Sequence, residues 1–594
     1  MMRPAFFISP AQRPNWLPFL ILPLLAVCAT LPLIAHGVSC GHDFDFHLQS
    51  WLDAAAQMRH GTLDPAWTSS AAWNAGEPRF LFYPPLSWML GALLTLVIPF
   101  PAVPVVFTAL ALFGAAATMY LLARDYAPPA AALLASAAYI GNPYMLFTAF
   151  ERTAYGELLA AVWMPLLLRA ALQAIPSAPA LAVSIALLWL SNAPAAVIGV
   201  YTVAGIGVVR ILLHLFAHRR QQRYALIHLV TSYIAGGALG LALPAFYLLP
   251  AAYERRYVQV AMAIIPNMRV QDNFLFGHTG DGPHDQVLHT ASLIAVALLA
   301  VTVIVLIAAW RAHPARRTRF DPRHLTYDTV GIVVLALATA AIALLLTPIS
   351  LPLWLHIPEL AFLQFPWRFL SLLGPVLALA LAIALRSFSY RRTTLTASAC
   401  VAVLFVAGMT ALDINQFRQP CEALDRPTVR AQLFRTHHGV GPTDEYTPTD
   451  ADNDVLRWDD PSYWLAANAT AFAAGTVPNP AATIVNYDTP PPIEQTISGT
   501  APHHLQLQLT QPEDLILNLR DYPGWQVTRN GAPITQHLQR DDGLLAIALP
   551  AGTSIIDIRW HRTWDQLAGD IISIAALLLL AFVLMRSRTI KHDT

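Results

Sequence analysis

Charge is what this sequence has least of: 12% of its 594 residues are Asp, Glu, Lys or Arg, about half the share usual in a soluble domain. Acids and bases cancel, 36 against 36, and no basic tract stands out, so nothing points to nucleic acid as a partner. Cysteine is nearly missing as well. Four residues in so long a chain exclude a disulfide-built scaffold, and there is no CxxC pair. Nor does the chain contain a Gly-rich phosphate loop, a convincing nucleophile-and-base motif or an internal repeat.

What fills the space is apolar: 56% of the residues are hydrophobic, and the mean hydropathy is +0.49. This mass falls into blocks long enough to cross a bilayer, which takes about 20 residues at helical rise. The 46 prolines gather at block edges and in two loop regions, where they break helices without interrupting a span. The first block, Leu17–Ala35, follows Arg3 and Arg13 but is too long for a signal peptide. Cys40-Gly41-His42 is no small-residue cleavage site, so the block reads as an uncleaved first helix.

Arginine and lysine placement orients the spans by the positive-inside rule. Four clusters carry the argument: Arg210 through Arg219-Arg220 to Arg223, Arg311 through Arg316, Arg317 and Arg319 to Arg323, Arg386 through Arg391-Arg392, and Arg586 to Lys591. Counting back from the last puts both termini in the cytoplasm and predicts spans at Leu17–Ala35, Val103–Leu122, Ala130–Phe147, Glu157–Ile175, Pro179–Leu190, Pro194–Leu213, Leu226–Leu249, Leu288–Trp310, Val330–Thr347, Pro366–Leu385, Leu395–Leu412 and Leu567–Met585. The parity works only if the apolar run Leu86–Pro99 does not cross but lies half-embedded at the surface. The expectation is thus a polytopic α-helical membrane protein with about twelve transmembrane helices. Its membrane module covers 1–412, with external loops at 38–101, 148–157, 251–287 and 348–365. Residues 413–566 form an external β-rich domain, and 567–594 the last span and tail. Strands in that domain show as Leu505–Leu509, Leu515–Leu519 and Leu544–Leu549, with turns at Asn530-Gly531 and Asp542-Gly543. Cys28 and Cys400 fall inside spans. Cys40 and Cys421 both fall outside, where they could pair, although isolated thiols are the commoner case.

The chemistry-bearing residues collect in the outer loops. Gly41-His42-Asp43-Phe44-Asp45-Phe46-His47 places two carboxylates and two imidazoles directly after the first span. A partly desolvated carboxylate there can act as general base on a hydroxyl, and Asp43, Asp45 and His47 could hold a divalent cation such as Mg or Mn. The plainer alternative is a solvated loop whose acids cap the next helix. Glu151-Arg152-Thr153-Ala154-Tyr155-Gly156-Glu157 adds two acids and an outward arginine, which the positive-inside rule disfavours without a compensating role; capping of the helix dipole is the plain reading of Glu157. Gln364-Phe365-Pro366-Trp367-Arg368 and Glu254-Arg255-Arg256 repeat the oddity. Guanidinium is the natural bidentate partner of phosphate; snorkelling to headgroups is the alternative, favoured for Arg255 and Arg256. Two metal readings are weaker. Asp450, Asp452 and Asp454 alternate like a calcium loop, but Val455 stands where the turn glycine belongs. His278, Asp281, His284, Asp285 and His289 are irregularly spaced, as in a solvated loop.

The segments GHDFDFH, FLFYPPLSW, ERTAYGELLA and LQFPWRFL, which span Gly41–Trp88, Glu151–Ala160 and Gln364–Leu370, resemble the bacterial membrane proteins called 6-pyruvoyl-tetrahydropterin-synthase-related, a label to which no pterin chemistry is attached here. These in turn look like the GT-C glycosyltransferase superfamily, with its oligosaccharyltransferases, protein O-mannosyltransferases and the aminoarabinose transferase of lipid A. LNLRDYPGWQVTRNGAPI, around Tyr522–Gly531, resembles the external β domain of related multi-span proteins. The resemblance implies a catalytic or metal-associated acid at Asp43, with Asp45 a close competitor, and a second acidic position at Glu151 or Glu157. Substrate contacts are expected from His42, His47, Tyr83, Arg152, Tyr155, Arg255, Arg256, Gln364 and Arg368. The implied reaction moves a sugar from a polyprenyl-phosphate-linked donor to a glycan, lipid or protein acceptor at the outer face of the bacterial inner membrane, with inversion. The doubled acid and the missing acceptor motifs of better-studied members leave the acceptor open. The rival readings are a lipid-linked glycan flippase and a non-enzymatic envelope protein that binds glycan. Coupled transport fits poorly, because the span centres hold almost no charge.

Overall fold

An apolar run can cross a bilayer only if its backbone closes its own hydrogen bonds, and the computed structural model forms helices from nearly every such run. The structure describes residues 16–217, 223–312, 327–387, 392–467 and 499–592; of the basic residues used for orientation, Arg3, Arg13, Arg219, Arg220, Arg316, Arg317, Arg319, Arg323 and Arg391 lie outside the described residues. Among the described residues nine helices are long and apolar enough to cross a membrane, from Leu17–His36 to Trp564–Arg586. The number becomes eleven when each of two bent helix pairs counts as one span: Pro129–Ile140 with Pro143–Phe150, turned by 44°, and Thr329–Leu345 with Pro348–His356, turned by 90°. Proline opens the second half of both pairs, where it disfavours a continuous helix.

The remaining expected span is the helix Ala178–Ser191, 14 residues or about 21 Å of rise. It runs antiparallel to its neighbour Tyr155–Leu172, for its last residue meets that helix's first turn: a Cβ on Gly156 would lie 2.9 Å from the Ser191 carbonyl oxygen. The chain is a polytopic α-helical membrane protein. Leu86–Pro99, expected not to cross, forms the 13-residue helix Pro85–Val97. It lies against the helix Phe44–Arg59, and Gly91 makes this approach possible, since a Cβ there would come within 2.2 Å of the Trp51 indole nitrogen.

The C-terminal region is β-rich and begins later than hydropathy alone implies. The helix Arg392–Phe417 continues past Asp413, a short helix follows at Pro427–Arg435, and strands start at Tyr463. In chain order they are β1 (Tyr463–Ala466), β2 (His504–Leu509), β3 (Glu513–Arg520), β4 (Trp525–Arg529), β5 (Ala532–Ile534), β6 (Leu544–Leu549) and β7 (Gly552–Trp560). They make two antiparallel sheets, β1-β3-β6 and β2-β7-β4-β5. The expected Asn530-Gly531 turn joins β4 to β5 with both residues at positive φ, 49° and 82°.

Alternation along β3 explains how this domain is held. Leu515, Leu517 and Leu519 share a core with Leu505, Val527 and Ile556 of the other sheet. Ile516 points the other way, into a cluster with Ala72 and Ala75 from the loop after the first span. The first loop is therefore sandwiched between the helical bundle and the β domain. Tyr522 and Trp560 extend the seam by packing on Trp67.

Candidate functional site

Asp43 comes three residues after Cys40, and its position follows from how the root of its loop is tied down. Cys40 and Cys421 form a disulfide, so these two thiols pair rather than stand alone. Around them the Cys40 amide donates to the Gln419 carbonyl at 3.1 Å, and the Ser39 hydroxyl donates to the Phe150 carbonyl at 2.6 Å. Gly41 packs so tightly on the neighbouring loop that a Cβ would lie 2.2 Å from the Glu151 carbonyl oxygen. The Asp43 amide then donates to the Arg152 carbonyl at 2.9 Å. The two acidic loops are thus laced together through their backbones.

Asp43 occupies the N-cap of the helix Phe44–Arg59, yet its side chain makes no capping hydrogen bond. The capping explanation for this acid therefore fails. Its carboxylate acts electrostatically on Arg152, Arg368, Tyr83 and His47. His47 is fully buried, and burial holds its imidazole down at about 4 despite the opposing pull of Asp43. Its Nε2 lies 3.5 Å from the Tyr83 hydroxyl, and its ring meets Tyr155 edge-on at 5.2 Å. Burial pushes the Tyr83 phenol up, and Asp43 adds to the effect. His42 is exposed at the rim, in the field of Asp43, Arg152 and His284.

The second loop supplies a buried ion pair. Arg152 Nη1 and Glu157 Oε2 lie 2.5 Å apart, with side chains 8% and 6% exposed. Burial works against the charge on Arg152, but Glu157, Tyr144 and Asp43 together outweigh it and raise the guanidinium pKa. Tyr144 donates to the other Glu157 oxygen at 2.5 Å, and the Arg152 guanidinium lies 4.8 Å from the centre of the Trp367 ring. Thr153 takes φ +48° immediately after Arg152, and Gln364 takes φ +60° just before Pro366. Non-glycine residues in this region cost energy and concentrate at functional sites.

Arg368 completes the group. Its Nη1 donates to the Leu363 carbonyl at 2.9 Å and to the Gln364 side-chain oxygen at 3.2 Å, while its buried Nε has no hydrogen-bond partner. The guanidinium lies 4.8 Å from the Phe365 ring centre and in the fields of Arg152, Glu157, Tyr144 and Asp43. Gln364 in turn donates to the Ala263 carbonyl. Two guanidinium groups, two carboxylates, an imidazole and three phenols share one region where helix ends meet loops.

Other expected site residues go elsewhere. Asp45 pairs with Arg430, Oδ1 to Nε 2.7 Å, and Glu151 accepts from Gln419 at 2.6 Å beside the disulfide. Arg256 stacks on Tyr253, 3.5 Å from its ring centre, and with Arg255 remains exposed on the seam toward the β domain. Asp43, Asp45 and His47 do not form a metal site; among the described residues no three His, Cys, Asp or Glu side chains gather as one. Sequence reasoning missed Tyr144 and Trp367, which read as ordinary aromatics at span ends. The one signal for Trp367 was its place beside Arg368.

No protein-family model matches the chain, and no curated protein matches its sequence, so the resemblance to the 6-pyruvoyl-tetrahydropterin-synthase-related proteins stays an expectation. Among solved structures, the arabinofuranosyltransferase AftD from Mycobacteria is similar over 67% of this chain, at 18% identity and a TM-score of 0.40. This chain spans only 27% of the length of AftD. ArnT from Cupriavidus metallidurans, bound to undecaprenyl phosphate, is similar over 89% of this chain and 97% of its own, at 12% identity and a TM-score of 0.27. Likenesses this loose leave the function to be argued from the site.

Proposed function

We propose that the chain is a membrane-embedded glycosyltransferase of the GT-C type, which transfers a sugar from a polyprenyl-phosphate-linked donor to an acceptor hydroxyl with inversion. The observation that carries this reading is the uncapped carboxylate of Asp43 in the field of two guanidinium groups, one of them Arg368 with an unpartnered N–H. Asp43 takes the proton of the acceptor hydroxyl while that oxygen attacks the anomeric carbon, and the bond from that carbon to the phosphate oxygen breaks. Two cations and two carboxylates balance before the reaction. Once Asp43 is protonated, one positive charge is left uncompensated just as the departing phosphate gains negative charge, the moment at which such a clamp lowers a barrier. Arg368 is the better clamp, because Arg152 is already held by Glu157. Tyr83 and Tyr155 pack on His47, one helical turn from Asp43, and Glu157 with Tyr144 positions Arg152.

The site faces the exterior of the bacterial inner membrane, with both termini cytoplasmic. The arginine clusters support this orientation. So does the disulfide three residues from Asp43, since such bonds persist in oxidising compartments. Residues 413–566 form the external domain in this reading.

The test is transfer from a radiolabelled polyprenyl-phosphate sugar by the purified protein in proteoliposomes. Product that requires Asp43 supports the reading. Donor crossing the bilayer without product would replace it with a flippase, and neither activity would leave a glycan-binding envelope protein.

A further inference from the structure

The histidines and acids between 278 and 289 are spaced as in a solvated loop, and most of them serve the loop itself. Asp281 caps the helix Gly282–Arg311, accepting from the His284 amide at 3.4 Å. Asp285 accepts from the Thr279 amide at 2.7 Å and pairs with the exposed His278. His284 turns the other way. Its ring centre lies 6.2 Å from that of Phe365, which stacks on Trp367 at 5.1 Å and carries the Arg368 guanidinium on its face. His284 also acts electrostatically on His42, at the rim beside Asp43. A third outer loop therefore reaches the cluster.

The neighbours of His284 decide which of its nitrogens is available. Asn273 is fully buried, and its Nδ2 donates to the Asn267 carbonyl at 2.7 Å and to the Arg269 carbonyl at 2.8 Å. These two acceptors fix which end of the amide is nitrogen, so Asn273 Oδ1 faces His284 Nε2 as an acceptor at 2.8 Å. The proton of the neutral ring is thereby held at Nε2, and the lone pair stands at Nδ1. The ring is half-buried. Among the described residues its Nδ1 has no hydrogen-bond partner, yet it is not sealed inside the protein. A lone pair accepts from a hydroxyl and repels a phosphate oxygen, which offers only lone pairs of its own. Beside a guanidinium that takes the phosphate, the part of a donor suited to this nitrogen is the sugar.

We infer that His284 is a substrate contact of the Asp43 site, its Nδ1 accepting a hydrogen bond from a hydroxyl of the donor sugar; the inference rests on the transfer reading above. The experiment measures, by tryptophan fluorescence, binding to the full chain in nanodiscs of undecaprenyl phosphate, bare or bearing glucose, mannose, galactose, arabinose or N-acetylglucosamine. At least one sugar-bearing lipid should bind more tightly than the bare lipid. His284→Gln, whose amide can still reach Asn273 but leaves the Nδ1 position empty, should weaken that lipid about fivefold or more, as expected for loss of about one net hydrogen bond. The bare lipid should bind it unchanged. His284→Asn, with an amide oxygen near the Nδ1 position, should restore part of the loss. If either variant has a lower melting temperature, the ratio of the two lipids within that variant still decides, because both meet the same protein. Equal weakening of bare and sugar-bearing lipid would mean that His284 only holds its loop, and overturns the inference. So does the absence of any preference for a sugar-bearing lipid in the wild type, or a preference that survives His284→Gln. The transfer reading fails by a different result, the lack of Asp43-dependent product, and a donor held through His284 without being transferred leaves the contact standing.

Discussion

Two buried arginine–carboxylate pairs, one in each half of the molecule, look alike and do different work. In the β domain, Arg540 and Asp542 are each 1% exposed, two residues apart, and Asp542 also accepts from the Leu544 amide at 3.0 Å. The pair is local and belongs to the turn before β6. In the membrane module, Arg152 and Glu157 are nearly as buried, but a second guanidinium and an uncapped carboxylate stand beside them, brought from residues 43 and 368. Burying a charge is costly unless it is paired. A closed pair satisfies its own charges, whereas the Asp43 cluster keeps an unpartnered guanidinium N–H and an uncapped acid, the feature on which the proposed transfer rests.

The contrast breaks most sharply at the acids. Asp43→Asn should lower transfer about 10²- to 10⁴-fold, whereas Asp45→Asn, which touches only the Arg430 pair, should change it a few-fold at most; equal losses in a donor assay would erase the distinction between the two. Arg368→Gln comes next, with about 10²- to 10³-fold lost from kcat. Arg368→Lys should restore only part of it, because an ammonium lacks the planar fork; full recovery by Lys would remove the clamp. Glu157→Gln leaves Arg152 buried without its partner and should cost about 3–5 kcal/mol of stability. In a thermal-shift series, the double variant Arg152→Met with Glu157→Gln should regain most of that loss, and no recovery would show that the pair is not the source.

The contributions of His47 and Asp460, one in each half, should respond to pH with opposite sign. Burial depresses the His47 pKa from 6.5 to about 4, so the folded state binds fewer protons than the unfolded chain between these values. The stability His47 contributes is full above about 6.5 and is lost as pH drops toward 4. Burial raises Asp460 beside β1 from 3.8 to about 7, so its contribution is full below about 4 and is lost as pH rises toward 7. Hydrogen exchange of the two regions across pH 4–7 measures this, and His47→Gln and Asp460→Asn should each flatten the slope of their own half only.

Local pattern carried much of this molecule into view. Apolar runs and their proline edges marked the helices, down to the short helix Pro85–Val97, and alternation marked β2, β3 and β6 within a residue or two of their ends. Asp43, Glu157, Arg152 and Arg368 all stood out as charges where span ends meet loops. What the pattern could not rank were near neighbours. Asp43 and Asp45 are equally acidic, and Glu151 and Glu157 equally close to a span. Positions two apart on a helix point about 200° away from each other, so one acid of the first pair meets Arg430 and the other meets the cluster.

Length, hydropathy and period are properties of contiguous residues, and a bilayer or a sheet reads them directly; on those terms the sequence by itself determined a many-spanning helical protein with a β-rich C-terminal part and acids just after the first span. Only the tertiary structure decided that Cys40 meets Cys421 across 381 residues, that Glu157 rather than Glu151 holds Arg152, and that Arg368 lies in the field of Asp43. Such meetings depend on how helices pack on one another, which no local run of residues encodes.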